Sequence, residues 1–139
     1  MARTGVTGPA KGSYGAFQFI FPAVANNDTL IQRVSLPAAF RVQEVSAVAD
    51  TVTSDPTYAV SNGAAGGTDV VAARNCAASD TVDTVAAASL TNRNLAKADV
   101  LTCTVVADLG DAATHLVVTV SGYFTDHMVS NGPTPNAND

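Results

Sequence analysis

Two segments near the end of the chain alternate so regularly that they leave little choice of secondary structure. In Val100-Leu101-Thr102-Cys103-Thr104-Val105-Val106, Leu101, Cys103 and Val105 fall on one side and the threonines on the other. Further on, Leu116, Val118, Val120 and Phe124 share one side, with Val117, Thr119, Ser121 and Tyr123 opposite. A period of two in β-branched residues is the pattern of a strand with one buried face. The residues predict a terminal pair of strands joined by a polar connection. Leu101, Cys103, Val105, Leu116, Val118, Val120 and Phe124 are its expected core row. The opposite row, Thr102, Thr104, Val117, Thr119, Ser121 and Tyr123, is uncharged. That is unusual for a face left in water, and it marks the row as a place for a neighbouring subunit to pack.

The same style runs through the rest of the chain. From Tyr14 to Phe21, Phe17, Phe19 and Phe21 alternate with Gln18 and Ile20, and Pro22 is expected to stop the strand. These phenylalanines read as core, or as a strand that docks on a partner, since aromatics are enriched at such contacts. Asn26-Asn27-Asp28 is turn chemistry. Leu30 to Leu36 and Phe40 to Ala49 predict two more strands, the second with poorly separated sides. Thr57 to Ser61 and Thr68 to Ala73 flank Asn62-Gly63, a hairpin-turn dipeptide. Thr84 to Leu90 fits either a strand or a helical turn. About eight short strands with turn signals between them predict an all-β fold, a β-sandwich or a jelly-roll-like barrel. Residues 1–13 and 129–139 are Gly-, Pro- and polar-rich. They read as an N-terminal arm and a C-terminal tail, leaving 14–128 as the single domain.

Composition narrows the function. The chain has 139 residues, of which 14% are charged, against about 25% in typical globular domains. Net charge is −5. Arg3, Lys11, Arg33, Arg41, Arg74, Arg93 and Lys97 are scattered, so no basic stripe exists to neutralise phosphates. Neither nucleic acid nor an anionic membrane is an expected partner. The first residues lack the apolar run of a signal peptide, which predicts maturation where the chain is made. Cys76 and Cys103 have no CxxC spacing and read as reduced, buried small hydrophobes.

No motif supplies chemistry. His115 is expected to begin a strand, with Asp108 and Asp111 before it and Ser121 beyond. There is no G-x-S-x-G elbow to build a triad. Asp126-His127 and the pairs Asp50/Asp55, Asp80/Asp83 and Asp108/Asp111 lack the dense ligand spacing of a metal or calcium loop. The expectation is a protein without enzymatic activity, cofactor or resident metal.

The N-terminal arm MARTGVTGPAKGS, the segment FQFIFPAVANNDTLIQRVSLPAAFRVQEVSAVADTVTSDPTY and the ending DVLTCTVVADLGDAATHLVVTVSGYFTD together resemble tailed-bacteriophage capsid decoration (cement) proteins. The resemblance implies a virion structural protein on the outer capsid surface, assembled in the host cytoplasm. Its implied partners are the major capsid protein and copies of itself, as a homotrimer. The alternatives are another virion part (a head-fibre base, a minor capsid or a tail protein) or a ligand-binding, adhesin-like sandwich. Candidate contact residues are Arg3 and Lys11 on the arm, Phe17, Phe19 and Phe21 on the first strand, and Thr102, Thr104, Thr119 and Tyr123 on the uncharged row.

Overall fold

Strands with one apolar row need a second layer to bury it, and the chain supplies two. The structure, a computed structural model, describes residues 12–63 and 67–125. It contains β1 (Tyr14–Ala25), β2 (Asp28–Ser35), β3 (Phe40–Val48), β4 (Thr51–Thr53) and β5 (Thr57–Asn62), followed by β6 (Thr68–Asn75) and β7 (Asp83–Ala86). Then come β8 (Asn94–Leu95), β9 (Val100–Ala107) and β10 (Ala112–Phe124). One antiparallel sheet runs β1-β10-β3-β7, with β4 added to β10 and β8 to β3. The other runs β2-β9-β5-β6. The all-β fold is the expected one, in its sandwich form.

The terminal pair of strands is divided between the two layers. β9 and β10 do not form a hairpin; they lie in different sheets. Leu101, Cys103 and Val105 point inward from one layer and Leu116, Val118 and Val120 from the other, all fully buried. Stacking face to face lets each row bury the other, which side-by-side pairing in one sheet would not do. The crossing is short. Asp111 accepts the Asp108 amide at 3.0 Å, and its own amide donates to the Asp108 carbonyl at 3.0 Å. β1 and β2 cross between layers in the same way, through Asn26 and Asn27. Both have positive φ (38° and 64°), a region asparagine tolerates better than most residues.

Three local features explain other differences. Pro22 does not end β1, because β1 is an edge strand and the missing amide faces away from its neighbour. His115 lies inside β10 rather than at its start, with φ +48° opposite Pro22, where the ladder skips one pair. The two sides of β3 look mixed because Gln43 is an extra residue. Glu44 pairs with Ser121 and Val42 with Gly122, so a β-bulge resets the phase. Phe40 and Val42 point inward before it, and Val45 and Ala47 after it. Arg93 holds the bulge. Its Nε donates to the Val42 carbonyl at 2.9 Å and its guanidinium also reaches Gln43 Oε1.

Asn62-Gly63 does open the β5–β6 hairpin, with Gly63 at φ +95°. The segment from Thr84 is both of its alternatives in turn: β7, then one 3-10 turn at Ala87–Ser89. At one end of the core, Phe17, Phe40 and Phe124 meet edge to face, with centroids 4.9–6.3 Å apart.

Gly122 faces the bulge so closely that an added Cβ would stand 2.0 Å from the Arg41 carbonyl oxygen. Gly122→Ala therefore forces the backbone of β3 away from β10. Expected is a loss of roughly 3 kcal/mol of folding stability, read from the denaturant midpoint at unchanged m-value.

Candidate interaction surfaces

Among the described residues, the triad candidates His115 and Ser121 do not converge. His115 and Ser121 lie six positions apart on β10, roughly 20 Å at strand rise. His115 Nδ1 is 3.3 Å from an Asp50 carboxylate oxygen, and both side chains are 67% exposed. Ser121 Oγ instead donates to the Glu44 carbonyl at 3.4 Å. Asp111 is buried and structural. Besides Asp108, it accepts the Asp55 amide at 3.1 Å, tying two loops together. Among the described residues no three His, Cys, Asp or Glu side chains converge as a metal site. Asp126 and His127 lie outside the described residues, as do Arg3 and Lys11.

The two layers are tied along both flanks. On one flank Gln32 of β2 reaches β1. Its Oε1 accepts the Ile20 amide at 3.2 Å while its Nε2 donates to the Ile20 carbonyl. One side-chain amide thus stands in for a strand neighbour. On the other flank the Tyr58 hydroxyl of β5 donates to Asp83 of β7 at 2.6 Å. Arg74 of β6 grips the same carboxylate, with Nε at 2.8 Å and a second nitrogen at 3.0 Å. Burial, then the hydrogen bond to Asp83 and that residue's negative charge, push the Tyr58 hydroxyl pKa upward. Cys76 and Cys103 are both free thiols; Cys103 is buried as expected, while Cys76 is only half-buried against the core. Burial pushes Cys76 up to about 11 and Cys103 up to about 12.

The outward surfaces are two broad sheet faces. On the β1-β10-β3-β7 sheet the residues Ile20, Val117 and Val48 align across three strands, followed by Gln18, Thr119 and Ser46, then by Ala16, Ser121 and Glu44. Tyr14, Tyr123 and Arg41 end the face. Tyr14 and Ile20 are 67% and 49% exposed. The opposite face, on β2-β9-β5-β6, holds a shallow groove of about 200 Å³. Thr57, Ala59, Ser61, Asp69, Ala73, Thr104 and Val106 line it.

The uncharged row read from the sequence is therefore not one surface. Thr104 belongs to the groove, and Thr119 and Tyr123 to the face on the other side of the molecule. Thr102 is fully buried, its hydroxyl donated to the Gly63 carbonyl. Phe19 and Phe21 are core, and Phe17 is half-buried against it. The surface of β1 is its other row. Tyr14, Ile20 and Asp69 escaped the sequence reading, because their exposure depends on which strands lie at the edges.

Fold and surfaces together define an all-β two-layer sandwich whose broad outer faces carry few charges. No family model matches the chain, and no curated protein does. Among solved structures, those of infectious bursal disease virus strains Gx and Gt are similar to 91% of this chain. Identity is 12% and 13%, with TM-scores of 0.28 and 0.29. The chain spans about a third of the length of those chains (31%). Likeness at that level does not assign this chain to a family.

The Tyr58 hydroxyl and the two thiols carry a pH signature. Up to the ordinary thiol value of 9.0, folded and unfolded states keep the same protons. Above it the unfolded chain ionises first, so stability falls as pH rises through about 11 for Cys76 and about 12 for Cys103. Tyr58 adds to the loss from its ordinary 10.0 upward. Denaturant midpoints measured from pH 7 to 12 are expected to be flat and then to decline past pH 9. In Tyr58→Phe the decline above pH 10 is expected to be shallower.

Proposed function

We propose that this protein is a non-enzymatic structural component of a virion. In this reading it is a decoration protein that binds the outer surface of a tailed-phage capsid and stabilises the head. The observation that carries the reading is the face of the β1-β10-β3-β7 sheet. Across β1, β10 and β3 its rows from Ile20 to Ala16 include one charged residue, Glu44, yet they stand toward solvent. Such a face suits a flat, extended contact with another protein better than free water.

Charge supports a shared task between body and arm. Residues 1–11 carry Arg3 and Lys11 and no acid, while the whole chain is net −5. The basic segment is suited to capsid carboxylates, and many copies on one shell multiply weak contacts. The partners in this reading are the major capsid protein and other copies of the chain. The groove beside Asp69 favours one other reading, a sandwich that binds a small ligand. A glycan and small-molecule binding screen tests it.

Purified protein added to heads that lack it is expected to co-sediment with them and to raise their disruption temperature. Deletion of residues 1–11 is expected to leave the body folded, by circular dichroism, and to weaken that binding at least tenfold. Absence of binding by the full chain would remove the decoration role.

A further inference from the structure

We propose that the free edge of β1 pairs with the same edge of a second copy, antiparallel and about a two-fold axis at Ala16. The backbone phase leads there. Phe124 exchanges its amide and carbonyl with the Ser13 carbonyl and the Gly12 amide, and Phe17 and Phe19 face Val120 and Val118 in the same ladder. Odd-numbered positions of β1 thus point their backbone groups at β10, and even-numbered ones point away.

Of the even positions, Ile20 is occupied by the Gln32 side chain, and Pro22 has no amide to offer. Tyr14, Ala16 and Gln18 remain, and among the described residues their outward amides and carbonyls have no partner. Three open residues in alternation are the template for one added strand. Their spacing is symmetric about Ala16. An antiparallel copy in register pairs Ala16 with Ala16, and Tyr14 with Gln18 on either side. Each open donor then meets an open acceptor, so the edge is complementary to itself, as a two-fold contact requires.

Charge points to the same strand. Of the edge strands of four or more described residues, β1, β2, β6 and β7, β1 alone has no charged side chain; the other two edge strands, β4 and β8, are three and two residues long. β2 carries Asp28 and Arg33, β6 Asp69 and Arg74, and β7 Asp83. Natural sheets commonly guard their edges with charge. Two chains of net −5 can meet along β1 without opposing like charges. The pairing also covers Tyr14, 67% exposed, against Gln18 of the second copy. The two-fold contact makes a dimer the unit in solution, in place of the trimer that the resemblance implies.

The full chain, 14.1 kDa, is measured by analytical ultracentrifugation from 1 to 100 µM, beside Ala16→Lys and Thr84→Lys. Ala16→Lys sets two cations against each other at the axis, on an exposed position. Thr84 is exposed on the same sheet, at its far edge. Expected is a dimer for the parent and for Thr84→Lys, and at least a tenfold weaker dimer for Ala16→Lys. Amide hydrogen exchange of the parent is read alongside, so the result does not depend on a variant folding. Slow exchange at Tyr14, Ala16 and Gln18 that accelerates on dilution supports the pairing. A parent that stays monomeric at 100 µM, a trimer, or fast exchange at all three amides overturns it.

Discussion

The structure depends on one contact, the meeting of the apolar rows of β9 and β10 across the space between the sheets. Leu101, Cys103 and Val105 come from one layer and Leu116, Val118 and Val120 from the other, and all are fully buried. Burying a residue of this size contributes roughly 1.5–3 kcal/mol each. That gain outweighs the convenience of a local hairpin, so the chain crosses between layers at Asp108–Asp111. β10, with β1 and β3 on its two sides, becomes the axis of one sheet, and β9, between β2 and β5, the axis of the other.

Once the layers are stacked, their flanks must be closed with polar groups. The two flanks use different devices. Gln32 imitates a strand neighbour for Ile20, while Tyr58 and Arg74 converge on Asp83. Among the described residues, the first leaves the N-terminal part of β1 uncovered, and the second occupies the opposite side of the sandwich. The open edge, the sparsely charged outer face and the groove are therefore consequences of how the core was closed. They lie apart from His115 of β10 and Asp50, whose exposed side chains meet at 3.3 Å.

Much of the fold was legible because burial in a strand leaves a period of two. The strand positions, the all-β class and the inward rows of β9 and β10 all follow from it. The mixed sides of β3 show where the signal fails. One extra residue, Gln43, reverses the phase, and nothing local distinguishes a bulge from a poorly patterned strand. Pro22 misled in a similar way, because proline is excluded from a central strand but tolerated at an edge. The candidate contacts were less legible. Thr102 and Thr119 look alike in the sequence, yet one is sealed under the Gly63 turn and the other lies on an outer face.

The sequence by itself determined that this chain forms strands, which side chains of those strands leave water, and that no catalytic or metal motif is spelled out. These are local properties, set by alternation, turn residues and composition. Only the tertiary structure decided which strands pair, that the terminal strands face each other across a core, and that one apparent row of threonines serves two opposite surfaces. It also decided that β1 lies at an edge, where the outward backbone groups of Tyr14, Ala16 and Gln18 have no partner among the described residues. Pairing partners come from distant parts of the chain, and a strand carries the same two-residue period whichever neighbour it takes.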